Sequence, residues 1–313
     1  MKRSLTAGFL LLLALASPAF AKDGAFVFAT PEQGAEILRT RDDYIRSLSP
    51  FDRAAKMKTD QTVSEDAFVA FSSSNTVAWA DADKAKLQPL LDDIRVRIDA
   101  LPLQWPQQIL FVKTTGQEEG NAAYTRANAI FLPPSQLGID SDRLRVLIAH
   151  ELFHVLSRQN PALRNELYAA IGYHPCGPVV LPPKFAALRI SNPDAPVSEH
   201  CIRVRLDGAN VLVTPVLLSR AEKFDVAKGG TFFNYVEVKF LRMDSSPPTD
   251  ANVRLADVKE LEGFAEQIGR NTGYIIHPEE TVADNFAIML LGRPNIPSPE
   301  IVQKVKDIIT RAR

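Results

Sequence analysis

The stretch from residue 147 to residue 156 constrains the fold most, because its only polar side chains are two histidines and one glutamate. Asp140 and Ser141 supply helix-capping side chains just upstream, so the sequence predicts a helix that ends near Arg158. A helix that is apolar on all sides is normally buried. The rest of the chain must therefore fold around this segment.

The size and composition allow such a core. The chain has 313 residues, of which 46% are hydrophobic and 23% are charged, so it can bury a large core without cross-links. These values exclude a disordered, collagen-like or disulfide-scaffolded protein. A formal net charge of −1 argues against a nucleic-acid-binding protein.

Hydrophobic periodicity and turn signals predict a mixture of helices and strands in one α+β domain that covers residues 22–313. Residues 173–208 are rich in proline and are predicted to be irregular. The predicted helices cover residues 84–101, 140–158, 160–172, 256–268, 278–291 and 299–311, and the predicted strands cover residues 109–115, 129–132, 211–219 and 231–242.

The first 21 residues have the pattern of a secretory signal peptide. Lys2 and Arg3 precede an apolar run at residues 7–16, and a small-x-small site ends at Ala21. No later stretch is apolar enough to cross a membrane. The mature protein is therefore expected in the periplasm or outside the cell, without a membrane span.

The strongest chemical signal is an HExxH motif on the buried helix. His150 and His154 are four residues apart and share one helical face, so both imidazoles can bind one metal ion. Glu151 lies beside this face, within reach of a metal-bound water. Burying these three polar side chains without a metal or other partners would be costly.

A catalytic zinc site usually has three protein ligands, so a third residue is needed. The metzincin continuation is excluded, since Ser157 and Asn160 stand where it requires glycine and histidine. Glu280 and Asp284 lie four residues apart on a predicted helix. The glutamate can bind the metal while the aspartate accepts a ring N–H from a ligand histidine.

HExxH followed by a helix that reads ExxAD resembles the gluzincin superfamily of zinc metallopeptidases. The resemblance implies one Zn²⁺ on His150, His154 and Glu280, with Glu151 as general base and Asp284 supporting a ligand histidine. It also implies a zincin-like fold, in which a small mixed sheet packs on the active-site helix and the C-terminal part is mainly helical. The 125 residues between His154 and Glu280 exceed the spacing in compact members, which indicates an insertion around residues 173–245.

Other third ligands stay open at this point. Glu166 has a spacing closer to compact gluzincins, but alanine stands four residues later, where the supporting carboxylate would be. Glu279 and His277 adjoin Glu280 and would serve if the helix were rotated. An acidic first turn is also favourable to the helix dipole without any metal.

Two further features of the superfamily have counterparts here. An edge strand that pairs with the extended substrate would fall within residues 122–132. A donor that stabilises the developing oxyanion would be a tyrosine, histidine or arginine, and the candidates are Tyr235, Tyr274 and His277.

Cys176 and Cys201 are the only cysteines, and export predicts a disulfide between them. His174 and His200 lie beside them, so a second metal site of two cysteines and two histidines is the alternative. An oxidising compartment favours the disulfide.

These observations predict an exported zinc-dependent metalloprotease that hydrolyses peptide or protein substrates. A cell-wall peptide amidase is the related alternative, and a non-catalytic secreted zinc-containing binding protein is the alternative from another class. An intact Glu151 favours an enzyme, since a structural zinc site needs no base.

Overall fold

The computed structural model describes residues 24–243 and 248–311. The predicted signal peptide lies outside the described residues, so its prediction stays open. Within the described ranges the protein is a mixed α+β structure with twelve α-helices and two five-stranded sheets. None of the described helices is long and apolar enough to span a membrane.

The helices fall into a group of short N-terminal helices and a group of longer ones that carries the candidate site. They are α1 (Pro31–Arg39), α2 (Asp43–Ser47), α3 (Pro50–Lys56), α4 (Glu65–Ser73), α5 (Asp81–Asp99), α6 (Pro134–Leu137), α7 (Ser141–Gln159), α8 (Pro161–Ala170), α9 (Pro183–Ala186), α10 (Phe264–Ile268), α11 (Pro278–Leu291) and α12 (Pro299–Arg311). Short 3₁₀ helices cover Phe232–Asn234 and Val258–Glu260.

The strands form two sheets, which we call sheet A and sheet B. They are β1 (Ala25–Phe28), β2 (Thr76–Val77), β3 (Gln108–Thr114), β4 (Tyr124–Arg126) and β5 (Ala129–Leu132) in sheet A, and β6 (Tyr173–Pro175), β7 (His200–Leu206), β8 (Ala209–Ser219), β9 (Val236–Met243) and β10 (Leu255–Ala256) in sheet B. Sheet A is mixed and has the order β1-β3-β5-β4, with β2 also pairing with β3. Sheet B is an antiparallel meander.

Helix α7 lies at the centre of the largest hydrophobic core. Ile148, Leu152 and Leu156 are fully buried there, and α7 packs against α5, α8, α11 and strands β4 and β5. The side chain of Asp140 caps α7 by accepting hydrogen bonds from the backbone N–H groups of residues 142 and 143. The prediction of a buried helix in this place is confirmed.

Helix α11 begins at Pro278, a favourable first position because proline has no N–H to satisfy. It ends at Leu291 and is followed by Gly292, whose left-handed φ of 64° suits a residue without a side chain. Its bounds are those predicted, and β5, at residues 129–132, also matches its prediction. The pairing of α7 with α11 creates the candidate site.

Three predicted segments are wrong in detail. Residues 256–268 form a strand end, a 3₁₀ turn and only a short helix, because Gly263 adopts a left-handed φ of 81° ahead of α10. Residues 231–234 contain a 3₁₀ turn before β9 begins. Residues 173–208, predicted to be irregular, contain β6, α9 and β7, whose pairing to β8 no local pattern revealed.

The predicted disulfide between Cys176 and Cys201 is present. It joins the residue that follows β6 to β7, at the edge of sheet B. The alternative metal site of two cysteines and two histidines is wrong, since both sulfurs are in the disulfide. The chain from Cys176 to Cys201 is therefore a covalently closed loop.

Candidate metal centre

Helices α7 and α11 bring together the three predicted metal ligands. Nε2 of His150 lies 3.0 Å from Oε2 of Glu280, and Nε2 of His154 lies 3.5 Å from the same oxygen. One ligand atom from each of the three residues lies within 4.8 Å of the others. His154 and Glu280 have no exposed surface, and His150 is 8% exposed.

A metal ion fits this group. Nε2 of His154 is buried and has no hydrogen-bond partner among the described residues, although it points toward Glu280. An unpartnered buried polar atom is costly, and a metal ion would satisfy it. Two imidazole nitrogens and a carboxylate form a ligand set that suits zinc. The group is therefore a candidate metal site, in agreement with the prediction.

The outer nitrogen of His150 is held by Asp284. Nδ1 of His150 donates to Oδ1 of Asp284 at 2.8 Å, and the other oxygen of Asp284 accepts a hydrogen bond from the Thr272 hydroxyl. Such a carboxylate fixes the tautomer and the ring orientation of a metal-binding histidine. Asp284 therefore has the predicted position.

The outer nitrogen of His154 is held in the same way by Glu279, at 2.9 Å. The carboxylate of Glu279 also accepts hydrogen bonds from the hydroxyl groups of Ser157 and Tyr168. Sequence reasoning treated Glu279 only as a rival ligand. The three-residue spacing of Ser157 from His154 places both on one face of α7, and this was the available signal for a shared partner.

The charges of the site compensate one another. Burial lowers the pKa of His150, but its hydrogen bonds with Asp284 and Glu280 outweigh burial and raise that pKa to about 10. Burial acts to raise the pKa of Glu280, yet the two histidines hold it well below its usual value. A divalent cation could take the place of these protons, since ligands bind metals in their deprotonated forms.

Glu151 lies beside the metal-facing atoms, as the HExxH spacing predicts. It is 3% exposed, and Oε2 accepts a hydrogen bond of 2.7 Å from the hydroxyl of Thr125 on β4. Its carboxylate and a ring nitrogen of His154 lie within 4.8 Å of a carboxylate oxygen of Asp194. Sequence reasoning found neither Thr125 nor Asp194.

Asp194 belongs to residues 191–197, a segment without helix or strand that crosses the site and that we call the strap. Burial and the Glu151 carboxylate raise the pKa of Asp194 well above its usual value. A second strap residue, Asn192, donates from Nδ2 to Oε1 of Glu280. The strap was missed because nothing in its local sequence distinguishes it from a surface loop.

Of the three candidate oxyanion donors, only Tyr274 adjoins the metal-facing atoms. Its ring centroid lies 6.0 Å from that of His150, and Tyr274 is 41% exposed. Desolvation and the carboxylates of Glu280, Asp194 and Glu151 raise its pKa well above the usual value, so its hydroxyl remains a neutral donor.

The other two candidates have different roles. The hydroxyl of Tyr235 accepts a hydrogen bond from the backbone of Asp225, and its ring packs against Phe51 and Phe224. Nδ1 of His277 accepts the backbone N–H of Glu279 at 3.0 Å and so caps α11. Burial lowers the pKa of His277 to about 4, which keeps this ring neutral.

The remaining predicted residues lie outside the cluster. Glu166 lines a separate cavity with Pro102 and Ile308. Nε2 of His200 is 2.9 Å from Oδ1 of Asn165, and His174 is exposed on β6. None of these three belongs to the metal-ligand groups found among the described residues.

Comparison with known proteins adds one partial similarity. A family model described as the eCIS core domain matches residues 110–162. The matched range includes β4, β5 and the HExxH motif of α7, but neither the strap nor α11. No curated protein and no solved structure shows a significant match to the chain. The helix that carries the two histidines thus lies in a region similar to a known domain.

Proposed function

We propose that the protein is a zinc metallopeptidase of the gluzincin type with a zincin-like fold. The observation that carries this proposal is the orientation of the two histidines. Both Nε2 atoms face Oε2 of Glu280, and both Nδ1 atoms are held by outer carboxylates, from Asp284 and Glu279. This is the arrangement that a zinc site with three protein ligands requires.

Zn²⁺ held by His150, His154 and Glu280 would lower the pKa of a bound water and polarise a substrate carbonyl. Glu151 adjoins this position and acts as the general base that accepts the proton of the attacking water. It then delivers the proton to the amine of the leaving group. The hydrogen bond from Thr125 orients the Glu151 carboxylate for both steps.

Tyr274 is the oxyanion donor in this proposal. Its backbone is fixed near the start of α11, since the Tyr274 N–H donates to the hydroxyl of Thr272 at 2.8 Å. A neutral phenol beside the carbonyl oxygen would stabilise the negative charge that develops in the transition state.

The outer edge of β4 is the place for an extended peptide. Thr125 pairs through β4 with Ile130 of β5, and its own N–H and C=O point to the other side. A peptide that added a strand here would pass beside Glu151. The substrate class is therefore a peptide or protein in extended conformation.

Export remains part of the proposal. The N-terminal signal pattern supports it, and the disulfide supports an oxidising compartment outside the cytoplasm. A mass measurement of the mature chain from the periplasm or medium would test it, with cleavage after Ala21 as the expected result.

The activity test compares the zinc-loaded wild-type protein with E151Q on a peptide library that includes cell-wall peptides. We expect E151Q to keep its zinc and to lose about 10²- to 10⁴-fold in kcat, the range for loss of a general base. E166Q makes the same chemical change on α8 and should leave kcat unchanged. Equal cleavage by the wild type and E151Q would overturn the proposed activity.

The family match favours a second candidate function. The name eCIS refers to an extracellular contractile injection system, and the match over residues 110–162 favours a component of such a system. The form of this candidate that differs most from a peptidase is a non-catalytic zinc-containing binding protein. The two functions differ in their need for Glu151. A structural component would show no Glu151-dependent hydrolysis on any peptide while holding zinc as tightly as a peptidase.

A further inference from the structure

The strap is anchored at both ends by elements outside the site. Before it, the N–H of Ile190 donates to the carbonyl of Leu217 on β8 at 2.9 Å, and the N–H of Ser191 donates to Asp52 at 2.7 Å. After it, Cys201 is bonded to Cys176. The strap is therefore held on both sides by contacts with distant parts of the chain.

The strap occupies the edge of β4 where a substrate would pair. The N–H of Thr125 donates to Oδ1 of Asp194 at 2.6 Å. Nη2 of Arg158 contacts the carbonyl oxygens of Thr125, Pro193 and Asp194 at distances from 2.7 to 3.0 Å. The N–H of Thr125 is thus bonded to the strap, and its carbonyl is bonded to the arginine that also holds the strap, so a peptide cannot pair with this N–H until the strap leaves.

The strap also reaches the ligand cluster. A carboxylate oxygen of Asp194 lies within 4.8 Å of both Glu151 and a ring nitrogen of His154, while Asn192 donates to Glu280. This places a carboxyl oxygen of Asp194 beside both the proposed general base and a predicted ligand histidine. Carboxylate oxygens are good zinc ligands, so Asp194 can complete the coordination shell.

The strap divides the cleft into two cavities of about 350 and about 130 Å³. The larger one includes Arg158, Tyr168 and His277. The smaller one is mainly apolar and reaches Tyr274. Pro193 and Asp194 line both cavities, so the strap is the wall between them. Its displacement would join them into one groove.

We propose that the strap is an internal inhibitor, in which residues 191–197 take the substrate's place along β4 and Asp194 takes the place of the attacking water. This inference rests on the proposed function. The protein is held in a latent state, and a peptide is hydrolysed only when the strap is displaced. Asp194 acts by occupying the site and contributes nothing to the chemical step.

The test uses the cobalt-loaded full chain and acetohydroxamate, a small bidentate metal ligand whose binding changes the visible spectrum of cobalt. In the wild type acetohydroxamate must displace Asp194, whereas in D194A the position is open. We expect the dissociation constant to fall at least about tenfold in D194A, because the binding-competent state is no longer the minor one. An unchanged or weaker affinity in D194A would overturn the inference.

Two further variants serve as controls, one in case D194A does not fold and one for nonspecific effects of removing an aspartate. R158M removes the contacts that hold the strap carbonyls and should move acetohydroxamate affinity in the same direction as D194A. D225A removes an aspartate that accepts the backbone N–H of Ala227 in another loop, and it should leave the affinity at the wild-type value. If D194A does not fold, the R158M result decides, and wild-type affinity in R158M counts against the strap.

Amide hydrogen exchange at Thr125 gives a readout without metal or activity. Loss of the Asp194 acceptor should speed exchange of this amide at least about tenfold in D194A relative to D225A. Unchanged exchange would overturn the placement of the strap on β4.

Peptide cleavage separates the inference from the proposed function. If D194A binds acetohydroxamate more tightly and cleaves peptides at least about tenfold faster than the wild type, both hold. If it binds acetohydroxamate more tightly and cleaves nothing, the strap inference stands and the peptidase function fails. If the wild type cleaves as fast as D194A and binds acetohydroxamate as tightly, the peptidase stands and the strap inference fails.

Discussion

The candidate site has two halves that differ in how their positions are determined. The metal-binding half consists of α7 and α11, whose ligand residues lie on facing helical surfaces. The strap has no secondary structure and is positioned by anchors far away in the sequence, such as Asp52. In the helical half, spacing fixes which side chains share a helical face. In the strap, position depends on tertiary contacts, and such segments can be displaced at lower free-energy cost.

The largest effect should follow from removing a ligand in the helical half. H154A leaves His150 and Glu280 without the third metal ligand, so zinc affinity should fall more than about 100-fold. This exceeds the loss that is typical when a residue hydrogen-bonded to a ligand histidine is removed. Zinc titration against a competing chelator measures this. H174A removes an exposed histidine of β6 and should bind zinc like the wild type. Equal affinity in H154A and H174A would contradict the site.

The two outer carboxylates provide the next test within the helical half. E279Q and D284N should each lower zinc affinity by about 10- to 100-fold. The loss should be greater for E279Q, because Glu279 is almost fully buried and accepts hydrogen bonds from three side chains. The Asp284 side chain, by contrast, is 28% exposed.

The control for this pair is E300Q, in the exposed first turn of α12. It should bind zinc like the wild type. A larger loss of zinc affinity in D284N than in E279Q would contradict the greater contribution that the hydrogen bonds assign to Glu279.

The disulfide tests whether the strap can be loosened while the helical half stays intact. Replacing both Cys176 and Cys201 by serine opens a loop with a sequence separation of 25 and should cost about 3 kcal/mol of unfolding free energy. Denaturant unfolding measures this loss. Thr125 amide exchange should become faster, whereas zinc affinity should stay near the wild-type value. A parallel loss of zinc affinity would show that the two halves are not independent.

The last effect is on global stability and concerns a buried acid between β3 and β4. Burial raises the pKa of Glu118 to about 7, although the hydroxyl of Tyr124 donates to it. The folded state therefore holds a proton that the unfolded chain releases near pH 4.5, and stability should fall as pH rises from about 4.5 to about 7. E118Q should remove up to about 3 kcal/mol of this dependence.

Thermal melting of the wild type and E118Q over this pH range measures the difference. The strap should have no separate response to pH, so the exchange rate of the Thr125 amide should change only as far as the free energy of unfolding changes. A pH dependence of melting that is the same in both proteins would contradict the role of Glu118.

The sequence predicted the ligand pairs of the helical half because a period of 3.6 residues converts spacing into a shared helical face. The four-residue spacing of His150 and His154, and that of Glu280 and Asp284, is enough to assign each pair to one helical face. The predicted bounds of α11 agree with the structure for the same reason, since Pro278 and Gly292 mark its ends.

The rest could not be predicted because it depends on long-range contacts. The N-terminal segment, where no element was predicted, contains β1, α1 to α4 and β2. Asp194 reaches the site only because Asp52 and Arg158 hold the strap from distant elements. Glu279 was mistaken for a rival ligand because its role depends on the rotation of α11 relative to His154, which a helical pattern alone does not fix.

The most direct test of the account is a crystal structure of the zinc-loaded protein, with anomalous diffraction data collected at the zinc edge. We expect one anomalous peak at about 2.0 to 2.2 Å from Nε2 of His150, Nε2 of His154 and a carboxylate oxygen of Glu280. A peak at any other group of residues, or no peak in zinc-loaded crystals, would contradict it.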